Sequence, residues 1–159
     1  CGRVKKMCAA LAILSVWSLS ACAPAYAPIS PKTSSNKVVI RNDRGGLIGD
    51  RIEHIQQLRL KGASVQIGPG YCYSSCTMYL GLEDVCVHPQ TELGFHGPIN
   101  LNTRKRLNGA QFERWTTLAA SYYPPKISES FMNKWRYRSS GLYKFWASDL
   151  VRYGIKLCK

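Results

Sequence analysis

Three short segments of this chain contain residue types that could carry out acyl transfer. Gly45-Gly46 follows a strand-like run, Ser74-Ser75 opens a helix-like run, and His96 ends an apolar run between two glycines. Glycine amides can bind an oxyanion, a serine at a helix start can act as a nucleophile, and a histidine can act as its general base. Each segment alone also fits an ordinary turn, a helix cap or a structural histidine. Their joint presence predicts a candidate active site.

Strands and helices alternate around these segments. Apolar or β-branched runs bounded by turn residues predict strands at 37–41, 63–67, 84–88 and 91–96. Apolar residues at helical spacing predict helices at 47–60, 74–82, 109–123, 127–137 and 146–153. The first strand, the first helix and the second strand form a βαβ unit, which implies a parallel pair of strands. We therefore predict an α/β fold with a helical C-terminal part.

The composition is that of a globular chain with a strong positive charge. The 159 residues are 45% hydrophobic and include 22 Lys+Arg against 9 Asp+Glu, a net charge of +13. This excludes collagen-like, coiled-coil and wholly disordered proteins and suits one domain. The charge is concentrated in residues 98–159, which hold twelve bases and three acids. This basic C-terminal segment could attract anionic lipid, nucleic acid or acidic substrates, or it could be a solvated surface.

Residues 1–22 have the organisation of a secretory signal sequence. Basic residues precede an apolar run at 7–19, and small residues follow it. The apolar run is shorter than the roughly 20 residues that span a bilayer. We therefore expect an exported protein, with the Pro/Ser-rich residues 23–36 as a flexible tether and residues 37–159 as the folded domain.

The end of this signal sequence allows three outcomes. Leu19-Ser20-Ala21-Cys22 resembles the bacterial lipobox, in which the cysteine receives a lipid and becomes the mature N-terminus. Ala25-Tyr26-Ala27 resembles the cleavage site of a soluble product, although Pro28 disfavours it. An uncleaved membrane anchor is the remaining alternative. We expect lipidation of Cys22 and a location in the cell envelope or periplasm.

The expected export of the protein also favours disulfide bonds between its cysteines. The predicted folded domain contains an even number of them, which suits disulfide bonds in an oxidising compartment: Cys72, Cys76, Cys86 and Cys158. Of the three pairings that four cysteines allow, we favour Cys76–Cys86 with Cys72–Cys158. The alternative is a metal site in which His88 and His96 join the first three cysteines, but this spacing matches no common zinc pattern. We therefore expect no metal and no cofactor.

In order and spacing, the chain resembles the Clp protease proteolytic subunit superfamily, the ClpP/crotonase-like fold of repeated β-β-α units. The resemblance rests on Gly45-Gly46, on Ser74-Ser75-Cys76 and on Phe95-His96-Gly97-Pro98. Residues 145–155 are also similar to a late Phe-x-Ser-Ala…Tyr-Gly-Leu segment of that family. The exported, Cys-containing bacterial branch of the superfamily is the part that the chain resembles most.

The resemblance implies a role for each residue of the candidate site. Ser75 would be the nucleophile, His96 the general base, and the amides of Gly46 and Cys76 the oxyanion hole. Ser74 is the alternative nucleophile if the helix begins one residue earlier. The stretch that should supply the acidic triad member, 138–144, contains no carboxylate. The candidates to replace it from elsewhere are Asp149, Glu129 and Asp84.

The function that these features predict is an exported, lipid-anchored serine hydrolase, most simply a peptidase acting on a peptide or protein substrate. The missing acid favours an alternative, a catalytically silent fold of this type that serves as an envelope binding or scaffold protein. A third reading is a basic surface module for anionic lipid head groups, based on the runs at 104–106 and 135–138. Export argues against nucleic acid as a partner. The resemblance also implies a homo-oligomer.

Overall fold

Two three-stranded sheets and the helices around them make up the part of the chain that this computed structural model describes, residues 36–138 and 140–159. The fold is a mixed α/β arrangement, as the sequence predicts. The predicted signal sequence at 1–22, the predicted lipidation at Cys22 and the predicted tether up to residue 35 lie outside the described residues.

The first sheet contains the predicted βαβ unit. Strand β1 (Lys37–Ile40) pairs in parallel with β2 (Ser64–Ile67), and helix α1 (Ile48–Leu60) connects them. Strand β4 (Val85–Val87) pairs in parallel with the other side of β2, so the order is β1-β2-β4. The prediction of a parallel pair is therefore confirmed.

The second sheet contains two strands that the sequence does not predict. Strand β3 (Gly70–Tyr73) pairs in parallel with β5 (Thr91–Phe95), and β6 (Tyr143–Trp146) pairs antiparallel with the other side of β5. Both unpredicted strands are four residues long and lie beside β5, which supplies their hydrogen-bond partners. Because such short strands depend on a neighbour, their own sequence carries little signal.

The predicted helices occur at the expected places in the chain, but some are 3₁₀ helices instead of α-helices, and their first and last residues differ from the prediction. Residues Ser74–Gly81 form a 3₁₀ helix, called the serine helix below, instead of an α-helix. The α-helices of the C-terminal part are α2 (Gly109–Ala120) and α3 (Pro125–Asn133). Two further 3₁₀ helices follow, Trp135–Tyr137 and Ala147–Tyr153. The serine helix runs through the core, where Thr77 and Met78 are completely buried.

The four cysteines form two disulfides, and the favoured pairing is wrong. Cys72 bonds Cys76, and Cys86 bonds Cys158. The first pair is close because β3 passes directly into the serine helix, which leaves 5.3 Å between the Cα atoms. The second pair is close because the C-terminal segment runs along β4, where Val87 donates to the carbonyl of Lys156 and Cys158 donates to the carbonyl of Val87.

These disulfides are compatible with an exported protein, because such bonds persist in oxidising compartments. They also use every sulfur atom that the alternative metal site would need. Among residues 36–138 and 140–159, no helix is both long enough and apolar enough to cross a membrane.

Candidate active site

A cavity of about 650 Å³ lies where the glycine turn, the serine helix, the end of β5 and helix α2 meet. Its wall includes residues from all three of the segments that the sequence singles out for chemistry, and these segments are far apart in the chain. The residues are Gly46, Ser74, Ser75 and His96. The rest of the wall is mainly apolar and includes Met78, Leu107, Trp115 and Phe131. The site can therefore hold an apolar group beside a hydroxyl, an imidazole and backbone amides.

The glycine turn lies directly against the start of the serine helix. Gly45 and Gly46 have φ values of +95° and +144°, which favour glycine. A Cβ atom at Gly45 would lie 2.6 Å from the Cβ of Ser74 and 3.0 Å from the backbone nitrogen of Ser75. The absence of a side chain at Gly45 is therefore what allows this close approach.

Ser74 occupies the junction between β3 and the serine helix in an unusual backbone conformation. Its φ is +56°, in the left-handed region that residues with a side chain rarely adopt. Such conformations persist only where the surrounding structure enforces them, and they are common at active sites. The next residue, Ser75, lies in the first turn of the serine helix, where backbone N–H groups have no intrahelical acceptor. An oxyanion near Ser74 could accept a hydrogen bond from that amide.

Ser75, the favoured nucleophile of the sequence reading, has a different environment. The residue is 4% exposed, and its Oγ is buried with no hydrogen-bond partner among the described residues. Cys76, the matching candidate for the oxyanion hole, is fully buried and disulfide-bonded, and the cavity wall does not include it.

His96 follows β5 directly and is half-buried at the cavity. Burial lowers the pKa of His96 from its ordinary value of 6.5, and a hydrogen bond with the backbone of Gly97 only partly opposes this. The imidazole is therefore neutral at neutral pH, which is the form that can accept a proton.

No carboxylate of the described residues acts on the pKa of His96. The predicted replacement for the triad acid, Asp149, is exposed in the last 3₁₀ helix and does not line the cavity. Glu129 and Asp84 are likewise exposed and outside the cavity wall. Among the described residues of that wall, the only carboxylate is that of Asp50, in the first turn of α1.

Comparison with known proteins assigns no family. No protein-family model matches the chain, and no curated protein matches it either. The resemblance to the Clp protease superfamily therefore rests on the chain's own sequence motifs.

A polar network that the sequence did not predict lies behind the glycine turn. The Oδ1 atom of Asp43 accepts a hydrogen bond from the backbone N–H of Gly45 at 2.7 Å. The Oδ2 atom of Asp43 lies 2.8 Å from Nη2 of Arg51, a half-buried guanidinium on α1. Asp43 is also hydrogen-bonded through its backbone to Tyr71 and Tyr73 of β3. It thus connects the glycine turn, the strand before Ser74 and α1.

The network continues into the core through Tyr79 of the serine helix. Arg51 donates a hydrogen bond to Tyr79 Oη, and His54 Nδ1 lies 2.5 Å from the same oxygen. Burial raises the pKa of Tyr79, although the neighbouring Arg51 opposes the shift. The sequence offered one signal for this network, since Arg51 and His54 are three residues apart on a helix and therefore share a face.

Proposed function

We propose that the protein is a serine hydrolase in which Ser74 is the nucleophile and His96 the general base. The observation that carries this proposal is the left-handed Ser74 at the strand-to-helix turn, packed against Gly45 in a cavity that also contains His96. Nucleophilic serines benefit from a sharp turn of this kind because it exposes Oγ beside the amide of the next residue.

Ser74 is preferred to Ser75 for two reasons. The amide that follows Ser74 is that of Ser75, which lies against the glycine turn, whereas the amide that follows Ser75 is that of Cys76, outside the cavity wall. In addition, the Oγ atom of Ser75 is inaccessible to solvent. A carbonyl bound at Ser74 would therefore find hydrogen-bond donors on both sides, from Ser75 and Gly46.

The proposed reaction proceeds through an acyl-enzyme. Ser74 Oγ attacks the carbonyl carbon of a peptide or ester and transfers its proton to neutral His96. The amides of Gly46 and Ser75 stabilise the oxyanion of the tetrahedral intermediate. His96 then protonates the leaving amine or alcohol, and water hydrolyses the acyl-serine with His96 again as base. Because no acid in the described part of the chain acts on His96, we expect slow turnover.

The substrate proposed for this site is a peptide or protein segment with an apolar side chain beside the scissile bond. The apolar wall formed by Met78, Leu107 and Trp115 supports the apolar group. Arg44 and Arg104 also line the cavity, so nearby acidic groups on the substrate would be attracted to it.

Labelling with a fluorophosphonate tests the function, because such probes bond to an activated serine with loss of fluoride. The full chain would be compared with Ser74→Gly, Ser75→Ala and His96→Ala. Glycine is the suitable replacement at Ser74 because it adopts positive φ without strain. We expect labelling of the wild type and of Ser75→Ala, and loss in the other two variants. No labelling of folded wild type would overturn the hydrolase proposal, and loss in Ser75→Ala alone would move the nucleophile to Ser75.

A catalytically silent binding protein is the second candidate. The observation that favours it is that no carboxylate within residues 36–138 and 140–159 acts on the pKa of His96. In this case the cavity would bind an extended or apolar ligand without cleaving it. Binding of a peptide aldehyde with equal affinity to wild type and to Ser74→Gly would favour this candidate, because a hydrolase gains affinity by forming a hemiacetal with its serine.

We further propose that the fold belongs to the ClpP/crotonase superfamily and that Cys22 carries a lipid in the cell envelope. The parallel β1-β2 pair followed by the serine helix supports the fold, and the lipobox-like 19–22 supports the anchor. Incorporation of radiolabelled palmitate into wild type but not into Cys22→Ala would support lipidation. A cleaved product beginning after residue 27 would contradict it.

A further inference from the structure

The two disulfides close loops of very different length. Cys86–Cys158 spans 72 positions, whereas Cys72–Cys76 spans only 4 and brackets both serines. A disulfide stabilises a fold mainly by restricting the unfolded chain, and the effect grows with loop length. The short disulfide is therefore the poorer stabiliser of the whole fold, although it lies at the candidate nucleophile.

The short disulfide joins a fixed strand to the start of a helix. Cys72 lies on β3, opposite Leu93 of β5, and forms an isolated bridge with Asp43 on its other side. Cys76 lies in the serine helix, two residues beyond Ser74. Both cysteines are completely buried. The bond therefore ties the serine helix to β3, an outer strand of the second sheet, across the turn that contains Ser74.

Noncovalent contacts hold the residue before this turn, since the Tyr73 N–H donates to the carbonyl of Asp43 and the Tyr73 hydroxyl donates to Glu92. Tyr73, at the N-cap of the serine helix, makes no side-chain capping hydrogen bond. The carbonyl of Ser74 accepts a hydrogen bond from Thr77 Oγ1 at 2.7 Å, and Gly45 packs against its Cβ. A serine at φ +56° would relax toward an ordinary conformation if the enclosing loop were free to move. The Cys72–Cys76 disulfide is a covalent restraint that spans this turn.

We propose that the Cys72–Cys76 disulfide positions Ser74 for reaction, whereas Cys86–Cys158 stabilises the fold. The inference rests on the proposed serine hydrolase function. It assigns the two disulfides separate roles, and it makes the cysteines that flank the nucleophile positioning residues, since neither sulfur lines the cavity.

The two cysteine pairs provide matched variants for the test. The full chain would be compared with Cys72→Ala/Cys76→Ala and with Cys86→Ala/Cys158→Ala, using fluorophosphonate labelling over a range of probe concentrations. For the first variant we expect the maximal labelling rate to fall at least tenfold and the apparent probe affinity to change less than twofold, because the cavity walls remain. For the second variant we expect near-normal labelling and the larger fall in Tm. Equal labelling rates in the two variants would overturn the proposal.

Hydrogen exchange supplies a readout that does not depend on catalysis. Removal of the Cys72–Cys76 bond should accelerate amide exchange across residues 73–77, whereas removal of Cys86–Cys158 should not do so selectively. If the wild type is not labelled but this local difference is present, the hydrolase proposal fails and the positioning of the turn stands. If exchange across 73–77 is the same in both variants, the disulfide does not hold the turn and the positioning proposal fails.

Discussion

Asp43 accepts a hydrogen bond from the backbone N–H of Gly45 at 2.7 Å. The same carboxylate pairs with Arg51 on α1, so one side chain orients the glycine turn and fixes it to a helix. Gly45 lies against Ser74 and Ser75 at the start of the serine helix, and Gly46, the next residue, lines the cavity. The geometry of the proposed oxyanion hole therefore depends on a residue that does not line the cavity.

Asp43→Asn tests this dependence. The amide oxygen can still accept from Gly45, but the charge that pairs with the half-buried Arg51 is lost, which should lower the free energy of unfolding by about 1–3 kcal/mol. Labelling by a fluorophosphonate should also slow, because the turn is less firmly held. Lys144→Ala is the matched control, since it breaks the more exposed pair with Glu92, worth about 0–1 kcal/mol. Equal stability losses in the two variants, measured by urea unfolding, would contradict the role of Asp43.

Gly45→Ala should damage both the fold and the site. The new Cβ would lie 2.6 Å from Ser74 Cβ and 2.8 Å from the carbonyl oxygen of Tyr73, so the backbone would have to move. We expect a loss of about 2–4 kcal/mol in unfolding free energy, from the overlap together with the positive φ, and no labelling of the folded fraction.

Gly62→Ala separates these two contributions. Gly62 also has a positive φ, +56°, but no atom lies within 4 Å of the position of its Cβ. Gly62→Ala should therefore lower the free energy of unfolding by only the backbone cost of about 1–2 kcal/mol, and the variant should keep full labelling. If Gly45→Ala were no worse than Gly62→Ala, the close contact with Ser74 would have no energetic consequence.

The pH dependence of labelling should report His96. Its pKa lies below the ordinary value of 6.5 because the ring is buried. Neutral His96 is the active form, so the labelling rate should fall as the pH is lowered, with a midpoint below 6.5. A midpoint above 6.5 would contradict a desolvated base at this position. His96→Gln should be inactive at every pH and provides the baseline.

The same shift affects folding stability. Burial lowers the pKa of His96 in the folded state, so the folded protein binds a proton at this ring more weakly than the unfolded chain does. This contribution is therefore fully present above the unfolded pKa of about 6.5 and is lost as the pH falls through the lower folded value. Urea unfolding at pH 7.5 and pH 5 should show a smaller loss of stability in His96→Gln than in wild type.

A larger side chain in the cavity wall should slow labelling by large probes more than labelling by small ones. Ala119 lies on α2, lines the cavity and is 4% exposed. Ala119→Leu should cost about 1–3 kcal/mol through overpacking and should slow labelling by a bulky aromatic probe more than by a small alkyl probe. Ala120→Leu, its equally buried neighbour outside the cavity wall, is the control. Equal effects of the two variants on both probes would show that the cavity does not receive the probe.

Local sequence signals were sufficient for part of the fold. The β1-α1-β2 unit was predictable because the strand residues, the helical spacing and the turn at Gly62 are all encoded within a short stretch of chain. The same holds for the choice of the glycine pair, the serine pair and His96, whose residue types suit chemistry wherever they lie. The sequence also identified the four cysteines as disulfide candidates.

Contacts between distant segments decided the rest. Strand β6 exists because β5 accepts it as an edge partner, and Cys158 pairs with Cys86 because the chain end runs along β4. A left-handed serine cannot be read from residue type, since only its surroundings enforce a positive φ. The sequence by itself thus determined which groups could react. The tertiary structure alone placed the Cβ of Ser74 and the amide of Ser75 against the glycine turn, because Gly45 has no side chain and Ser74 has a positive φ.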